Sequence, residues 1–286
     1  MPKDLQNCSV HIVGLGLMGG SLAMALRGKV HCLTAEDIAP DVIDAAQENG
    51  VIDAVGTAAN ADIVVIAIPA HHIITLLSML DLRPGTLVID LGSTKTRICN
   101  ALDHLPPHVL AVGGHPMCGL AENGYKNAIA TLYQGARFVL CETKRTTDEA
   151  RTMVEALARA VGAQPLWMDR TRQDHLTALT SHLPHLLSFA LMRLAMDGSA
   201  EDSALLELAA GGFDGATRLA RTDAAMIVGM FSTNADQIRE AAAQLRAHLD
   251  RLEALLEDPS RLDDELSDIV QARRSYTADY GERLIT

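Results

Sequence analysis

The chain of 286 residues carries 24 Lys and Arg against 36 Asp and Glu, a formal charge of -12, with 48% hydrophobic residues. That apolar fraction supplies a packed core, and the acidic balance excludes a nucleic-acid partner, which needs a clustered basic excess to neutralise phosphates. Five scattered cysteines without CxxC spacing (Cys8, Cys32, Cys99, Cys118, Cys141) point to neither a disulfide framework nor a zinc site, and a reducing compartment is expected.

The start "MPKDLQNCSVHIVG" lacks a secretory h-region, and no apolar run approaches the ~18–20 residues of a membrane helix, so a soluble, cytoplasmic protein is expected. Along the chain, "VHIVGL" (10–15), "KVHCLT" (29–34), "ADIVVIAIP" (61–69), "GTLVIDLG" (85–92), "HVLAVGG" (108–114) and "ARFVLC" (136–141) are short, apolar or β-branched and bounded by Gly, Pro or Asp. They read as strands buried on both faces. Amphipathic segments such as "SLAMALRG" and "PDVIDAAQENG" lie between them. This alternation predicts an α/β region with a mostly parallel, doubly wound, Rossmann-like sheet over residues 1–168.

From Asp169 the strand-like runs cease, and residues 169–286 are expected to be all helical. Leu176, Leu179, Leu183, Leu186, Leu187 and Ala190 form one helical stripe, and Pro184 inside it frees the carbonyl of Thr180 and kinks the rod. Ile238, Ala242, Leu245, Leu249, Leu252 and Leu256 alternate at four and three. Leu262, Leu266, Ile269, Arg273, Tyr276 and Tyr280 repeat the pattern after "EDPS". A seam this long wants a helical partner. Either a homodimer forms through this half, the expected outcome, or a hairpin closes on itself within one chain.

"GLGLMGGS" (14–21) follows the first strand and opens a helix. Gly14 permits the tight turn, Gly16 lets the backbone approach a pyrophosphate, and Gly19 allows close helix packing. The N–H groups at the helix start, at Leu17 and Met18, face the phosphates. Asp37, eighteen positions after Gly19, stands where an acid takes the adenosine ribose, with Glu36 as the alternative. No Lys or Arg lies between Val30 and Leu82, so nothing nearby neutralises a 2′-phosphate and NAD is expected over NADP. Pro69, the turn bearing Ser93 and Lys95, and "GGHPMCG" should converge beyond the carboxyl ends of the strands.

Candidate histidines are His71, His72, His115 and the trio His175, His182 and His185, spaced seven and three on one helical face. No Cys, Asp or Glu set completes a coordination sphere around the trio, so no metal is expected. Helix histidines that merely cap or pack are the plainer alternative.

Taken together, "GLGLMGGS", "DLGSTK", "GGHPMCG", "SHLPH" and "AGGFDGATRLARTD" (210–223) resemble the prephenate/arogenate dehydrogenase family of tyrosine biosynthesis. The resemblance implies a dinucleotide-binding domain, a helical dimerisation domain and an active site in the cleft between them. It also implies oxidative decarboxylation of prephenate to 4-hydroxyphenylpyruvate, or of arogenate to tyrosine. On the matching positions it implies His115 as catalytic histidine and Ser93 as a hydroxyl near the substrate's ring OH. Arg218 and His185 become ligands of the substrate's carboxylate and side chain, with His182 and Gly212 also at the substrate. Three positions depart from the family pattern: Ala121, where an acid is common, Asp214 after "GGF", and Ile227 after "TD". "GGFDG" reads as a flexible loop with Asp214 solvated, which favours prephenate.

The chemistry agrees with those roles. Removing hydride from C4 while a base takes the hydroxyl proton makes a carbonyl that draws electrons from C1, so carbon dioxide leaves and the ring aromatises. An imidazole, neutral near pH 7 with an unperturbed pKa of about 6.5, suits that base. Two other readings fit less well. A β-hydroxyacid dehydrogenase resembles the N-terminal half, but that family's helix lysine has no counterpart between Gln173 and Arg218. A non-enzymatic NAD-binding redox sensor leaves the histidine, serine and arginine pattern unexplained.

Overall fold

The computed structural model describes residues 3–120 and 122–281. Its sheet contains β1 (Ser9–Val13), β2 (Cys32–Glu36), β3 (Ala54–Val55), β4 (Ile63–Ile66), β5 (Leu87–Asp90), β6 (Leu110–Pro116), β7 (Arg137–Glu142) and β8 (Gln164–Trp167), in the order β3-β2-β1-β4-β5-β6-β7-β8. The first six are parallel, so their carboxyl ends share one edge. The order reverses at β1 and β4, the position where open sheets of this kind bind their ligands.

Helices α1 (Leu17–Leu26), α2 (Pro40–Glu48), α3 (Ala70–Leu77), α4 (Thr96–Leu102) and α5 (Asp148–Ala160) cover the two faces. Alternation sorts the strand side chains: Val10, Ile12, Ile63, Val65, Leu87 and Ile89 pack with α1, α2 and α5. Val13, Val64, Ile66 and Val88 pack with α3 and α4 on the opposite face. Both faces of β4 and β5 are covered, which is why β4 is apolar throughout and β5 is apolar up to the Asp90 that ends it.

Three features differ from the sequence expectation. Strand β7 runs antiparallel to β6, and β8 pairs parallel with β7. Neither β3 nor β8 was foreseen. The first is two residues long, and the second holds Pro165, tolerated because β8 is an edge strand. "GGFDG" is helical rather than a loop, as described next.

Beyond the sheet come α6 (Arg170–Thr177), a π-turn at Ala178–His182, α7 (Leu183–Glu201), α8 (Ala204–Glu207), α9 (Gly211–Thr217), a 3-10 turn at Arg218–Arg221, and α10 (Ala224–Thr233). The irregularity attributed to Pro184 is realised just before it, where the Leu183 N–H reaches the Ala178 carbonyl in an i→i+5 bond. The leucine stripe of α6 and α7 faces the core of the chain only at Leu183, which is buried. Leu176, Leu179 and Leu187 are exposed, whereas Gln173, Asp174, Thr177 and His182 are buried. The polar face is turned inward because it builds the site.

Two compact units divide the chain, Met1–Ala235 and Asp236–Thr286. Helix α11 (Ala235–Glu253) opens the second, and α12 (Pro259–Tyr280) follows the "EDPS" break, with Arg251 ion-paired to Glu265 across it. Within this unit Leu249, Leu256, Leu266, Ile269, Tyr276 and Tyr280 are exposed. No described helix is long and apolar enough to cross a membrane.

Candidate active site

The glycine turn after β1 has the shape its composition predicts. Gly14 has φ +92°, and a Cβ there would meet Ile68 at 2.7 Å and the Ala67 carbonyl oxygen at 2.8 Å. A Cβ at Gly19 would lie 1.9 Å from the Gly14 carbonyl oxygen, so helix and turn touch only without a side chain. Gly16 is different: a Cβ there would meet nothing within 4 Å, leaving its backbone open. Gly16 is the N-cap of α1 and no side chain caps it. The N–H groups of Leu17, Met18 and Gly19 have no partner one turn back within the helix, the arrangement that receives a pyrophosphate. Asp37 is tied to the same turn, accepting from Leu15 N at 2.7 Å and from Ala39 N at 2.9 Å. Glu36 instead lies 3.6 Å from His11 Nε2. Pro69 is the exposed N-cap of α3 at the end of β4.

At the same edge, His115 is the penultimate residue of β6, paired with Val139 of β7. Beneath it Lys95 is wholly buried and ion-paired with the buried Asp90, and it donates to the Gly114 carbonyl at 2.6 Å. Asp90 also accepts from Gly92 N and Gly114 N, so each partner of the buried pair is further hydrogen-bonded. Ser93 stands half-buried in the turn between them.

Helix α6 closes over this turn. Asp169 caps it by accepting from Thr171 N and Arg172 N. One turn on, the Asp174 carboxylate accepts from Lys95 N at 2.6 Å and Thr96 N at 2.8 Å, capping α4 across space. Gln173 Nε2 lies 2.6 Å from His115 Nδ1 and 3.3 Å from the Ser93 carbonyl oxygen. Asn234 Nδ2 donates to the Asp174 carbonyl at 2.8 Å and lies 3.1 Å from His182 Nδ1. Thr94 and Thr233 hydroxyls meet at 2.8 Å, joining the Ser93 turn to α10.

His185 Nδ1 lies 2.9 Å from the Ser181 carbonyl, one turn back. Since a carbonyl only accepts, Nδ1 carries the proton and Nε2 is the free acceptor of the neutral ring. Ser188 Oγ accepts from Ala220 N, fixing the 3-10 turn that starts at Arg218. Burial pushes the His115 pKa down to about 3, helped by the charges of Lys95 and His182. Burial likewise lowers His182 to about 4, with His185 adding to it. His185 is lowered by burial and by Arg218, against its bond to Ser181. These mutual influences place His115, His182, His185 and Arg218 in one electrostatic neighbourhood, all neutral or cationic, which suits an anionic ligand.

Of the residues singled out from sequence, the structure links Ser93, His115, His182, His185 and Arg218 through the contacts and charges just described, and sets Gly14, Gly16, Leu17, Met18, Gly19 and Asp37 at the turn after β1, with Pro69 at the end of β4. Gly212 and Asp214 are exposed in the first turn of α9, and a Cβ at Gly212 would touch nothing within 4 Å. Ile227 is buried in α10. Ala121 lies outside the described residues. Sequence reasoning overlooked Gln173, Asp174, Asn234 and Asp90. Polar residues at 173, 174 and 177, on the side opposite the leucines, were the signal available for the first two.

A mostly parallel sheet with a glycine turn on its first strand, and a histidine and a serine at its carboxyl edge, is the frame of a dehydrogenase. The chain belongs to the prephenate dehydrogenase family. Residues 22–166 match the family's "Prephenate dehydrogenase, nucleotide-binding domain", and residues 169–272 match its "Prephenate dehydrogenase, dimerization domain". The prephenate dehydrogenase of Lactococcus lactis is 32% identical over 253 residues, covering 84% of this chain and 69% of that one. The crystal structure of prephenate dehydrogenase from A. aeolicus, in complex with hydroxyphenyl propionate and NAD+, superposes with a TM-score of 0.89 at 29% identity, covering 96% of this chain and all of that one. Synechocystis arogenate dehydrogenase superposes at 0.77 with 26% identity, covering 94% and 99%.

Proposed function

We propose that this chain catalyses the oxidative decarboxylation of prephenate to 4-hydroxyphenylpyruvate and carbon dioxide with NAD, residues 1–168 holding the dinucleotide and residues 169–286 the substrate and a dimer partner. The observation that carries this reading is His115, held at Nδ1 on a rigid strand end between Ser93 and the π-turn histidine. The open backbone at Gly16 and the uncapped start of α1 fit a dinucleotide pyrophosphate, and Asp37 fits its ribose. When bound, the dinucleotide supplies the hydride acceptor. His115 takes the proton of the C4 hydroxyl at Nε2, and Ser93 orients that hydroxyl. As C4 becomes a carbonyl, C1 loses its carboxylate as carbon dioxide. Arg218 pairs with the side-chain carboxylate, the neutral His182 donates Nε2–H to the side chain beside it, and His185 joins them by taking up a proton on Nε2, which an adjoining carboxylate favours.

Prephenate is favoured over arogenate because Asp214, the acid nearest Arg218 in sequence, is exposed at the start of α9. There it is solvated and favourably placed on the helix dipole, so it gives a buried ammonium no partner. Exposed leucines on α6 and α7, in the region matching the family's dimerization domain, support the homodimer.

The test is His115→Asn, assayed with NAD and both substrates. Prephenate kcat falls by about 10²–10⁴, the worth of a positioned base, with NAD affinity retained. In the wild type the acid limb of kcat/KM falls below pH 6, because burial and Lys95 keep the imidazole neutral at pH values where a free histidine is already protonated. A fully active His115→Asn, or a wild type that turns over arogenate better, would overturn the corresponding part of the reading.

A further inference from the structure

The amide that holds His115 also decides which of its nitrogens is protonated. Gln173 is the fourth residue of α6 and 1% exposed. The Ser93 carbonyl oxygen can only accept, so Gln173 faces it with an N–H, and the same nitrogen reaches His115 Nδ1. Nδ1 is therefore the acceptor, and the resting neutral ring keeps its proton on Nε2. That tautomer donates at Nε2, whereas a base needs a lone pair there.

Asn234 sets His182 in the same way, and the comparison is informative. Its amide nitrogen is held at 2.8 Å by the Asp174 carbonyl, which fixes His182 as an Nε2–H donor. His182 Nε2 is buried without a hydrogen-bond partner among the described residues, and a donor is what an anionic substrate group wants. Gln173 is held less firmly. Its bond to Ser93 spans 3.3 Å, beyond the usual range, and its Oε1 is buried with no hydrogen-bond partner among the described residues. An orphaned buried acceptor costs about 1–3 kcal/mol. Turning the carboxamide over sets Oε1 against Nδ1; it forfeits that long bond, leaves an amide N–H in the unpartnered position, and requires Oε1 to draw away from the Ser93 carbonyl.

We propose that Gln173 is a positioning residue that switches His115 between tautomers. With Nε2 of the amide on Nδ1 the imidazole is a donor. With Oε1 there, Nδ1–H is held and the Nε2 lone pair is free to take the substrate's hydroxyl proton. In the switch one proton leaves Nε2 to solvent and one from solvent arrives at Nδ1, with no net change; His115 as a residue is partly rather than fully buried. After proton abstraction the imidazolium donates Nδ1–H to Oε1. A group that only sets an imidazole's tautomer is worth up to ~10⁴ in rate in hydrolytic triads. The titratable groups around the ring are Lys95 with Asp90 beneath, His182 from the π-turn, and Asp174, whose carboxylate is engaged by Lys95 N and Thr96 N. Cys99 and Cys141 lie beside Gly113.

This inference rests on His115 being the base, and the experiment separates the two. Gln173→Glu can only accept, so it locks Nδ1–H: kcat should stay within tenfold of wild type while the acid limb of its pH profile moves up by at least one unit, because an anionic partner favours the imidazolium. Gln173→Leu should lower kcat about 10- to 100-fold with prephenate KM changed less than threefold. Nitrogen-15 shifts of His115 in the ligand-free protein should report Nε2–H in wild type and Nδ1–H in Gln173→Glu; this reading stands even if the leucine variant does not fold. The proposal is overturned if wild-type His115 rests as Nδ1–H, or if both variants keep the wild-type kcat and acid limb. Indifferent Gln173 variants beside an inactive His115→Asn would sink the tautomer switch alone; an active His115→Asn would remove the base as well.

Discussion

Asp37 shows what a single residue reveals in sequence and what it conceals. Its spacing from Gly19 points to the ribose, but only the structure shows its carboxylate gripping Leu15 N at 2.7 Å and so bracing the glycine turn. Each carboxylate oxygen keeps a further lone pair for a ribose hydroxyl, and the stretch between Val30 and Leu82 holds no cation for a 2′-phosphate. Steady-state kinetics should give kcat/KM at least about tenfold higher for NAD than NADP. Asp37→Ser should lower the NAD value by about 10- to 100-fold, the worth of a charge-assisted hydrogen bond or somewhat more, and narrow the preference. A wild type that prefers NADP would refute the assignment. His115, Ser93 and Arg218 were singled out in the same way, through motifs. Gln173 and Asn234 were not, because a side chain that acts by touching another across 58 or 52 positions leaves no local pattern.

Secondary-structure elements were legible where burial forces a period. Strands β1, β4, β5 and β6 are covered on both faces, so their sequences are apolar runs that admit one reading. Strand β8 is a half-buried edge containing Pro165, and the direction of β7 is set by its pairing with β6 rather than by composition. The turn between β5 and α4 is the least legible of all. In "DLGSTK" the lysine looks like a surface cation, yet it is fully buried against Asp90 and the Gly114 carbonyl, under the strand that carries His115. Removing one member of such a pair leaves the other charge buried and alone, at about 3–5 kcal/mol. Lys95→Met should therefore lower the thermal midpoint by roughly 10 °C, at about 2–4 °C per kcal/mol for a chain of this size. Adding Asp90→Asn should recover part of the loss. A single variant as stable as wild type would show that the pair contributes nothing net to the fold.

At the scale of the whole molecule, α6 and α7 bury a polar set while several of their leucines stay exposed, the reverse of an isolated amphipathic helix on a core. Gln173, Asp174, Thr177 and His182 are buried because they assemble the site. The cost is an unsatisfied apolar surface: Leu187, Leu191 and Leu194 lie at i, i+4 and i+7 on α7 and are 41%, 37% and 68% exposed. A single exposed leucine is ordinary, but a row on one helical face marks an interaction surface. A second copy of the chain is the partner we propose, in keeping with the family's dimerization domain. Sedimentation equilibrium should return about twice the 30.6 kDa chain mass. Leu191→Glu combined with Leu194→Glu should return the single-chain mass, since a buried, unpaired carboxylate at an interface opposes association. In the isolated chain Leu194 is already largely exposed, so a charge there costs the fold little. Loss of the dimer with the cooperative thermal transition retained is thus the expected pattern. A double variant that remains dimeric would move the interface off this face of α7.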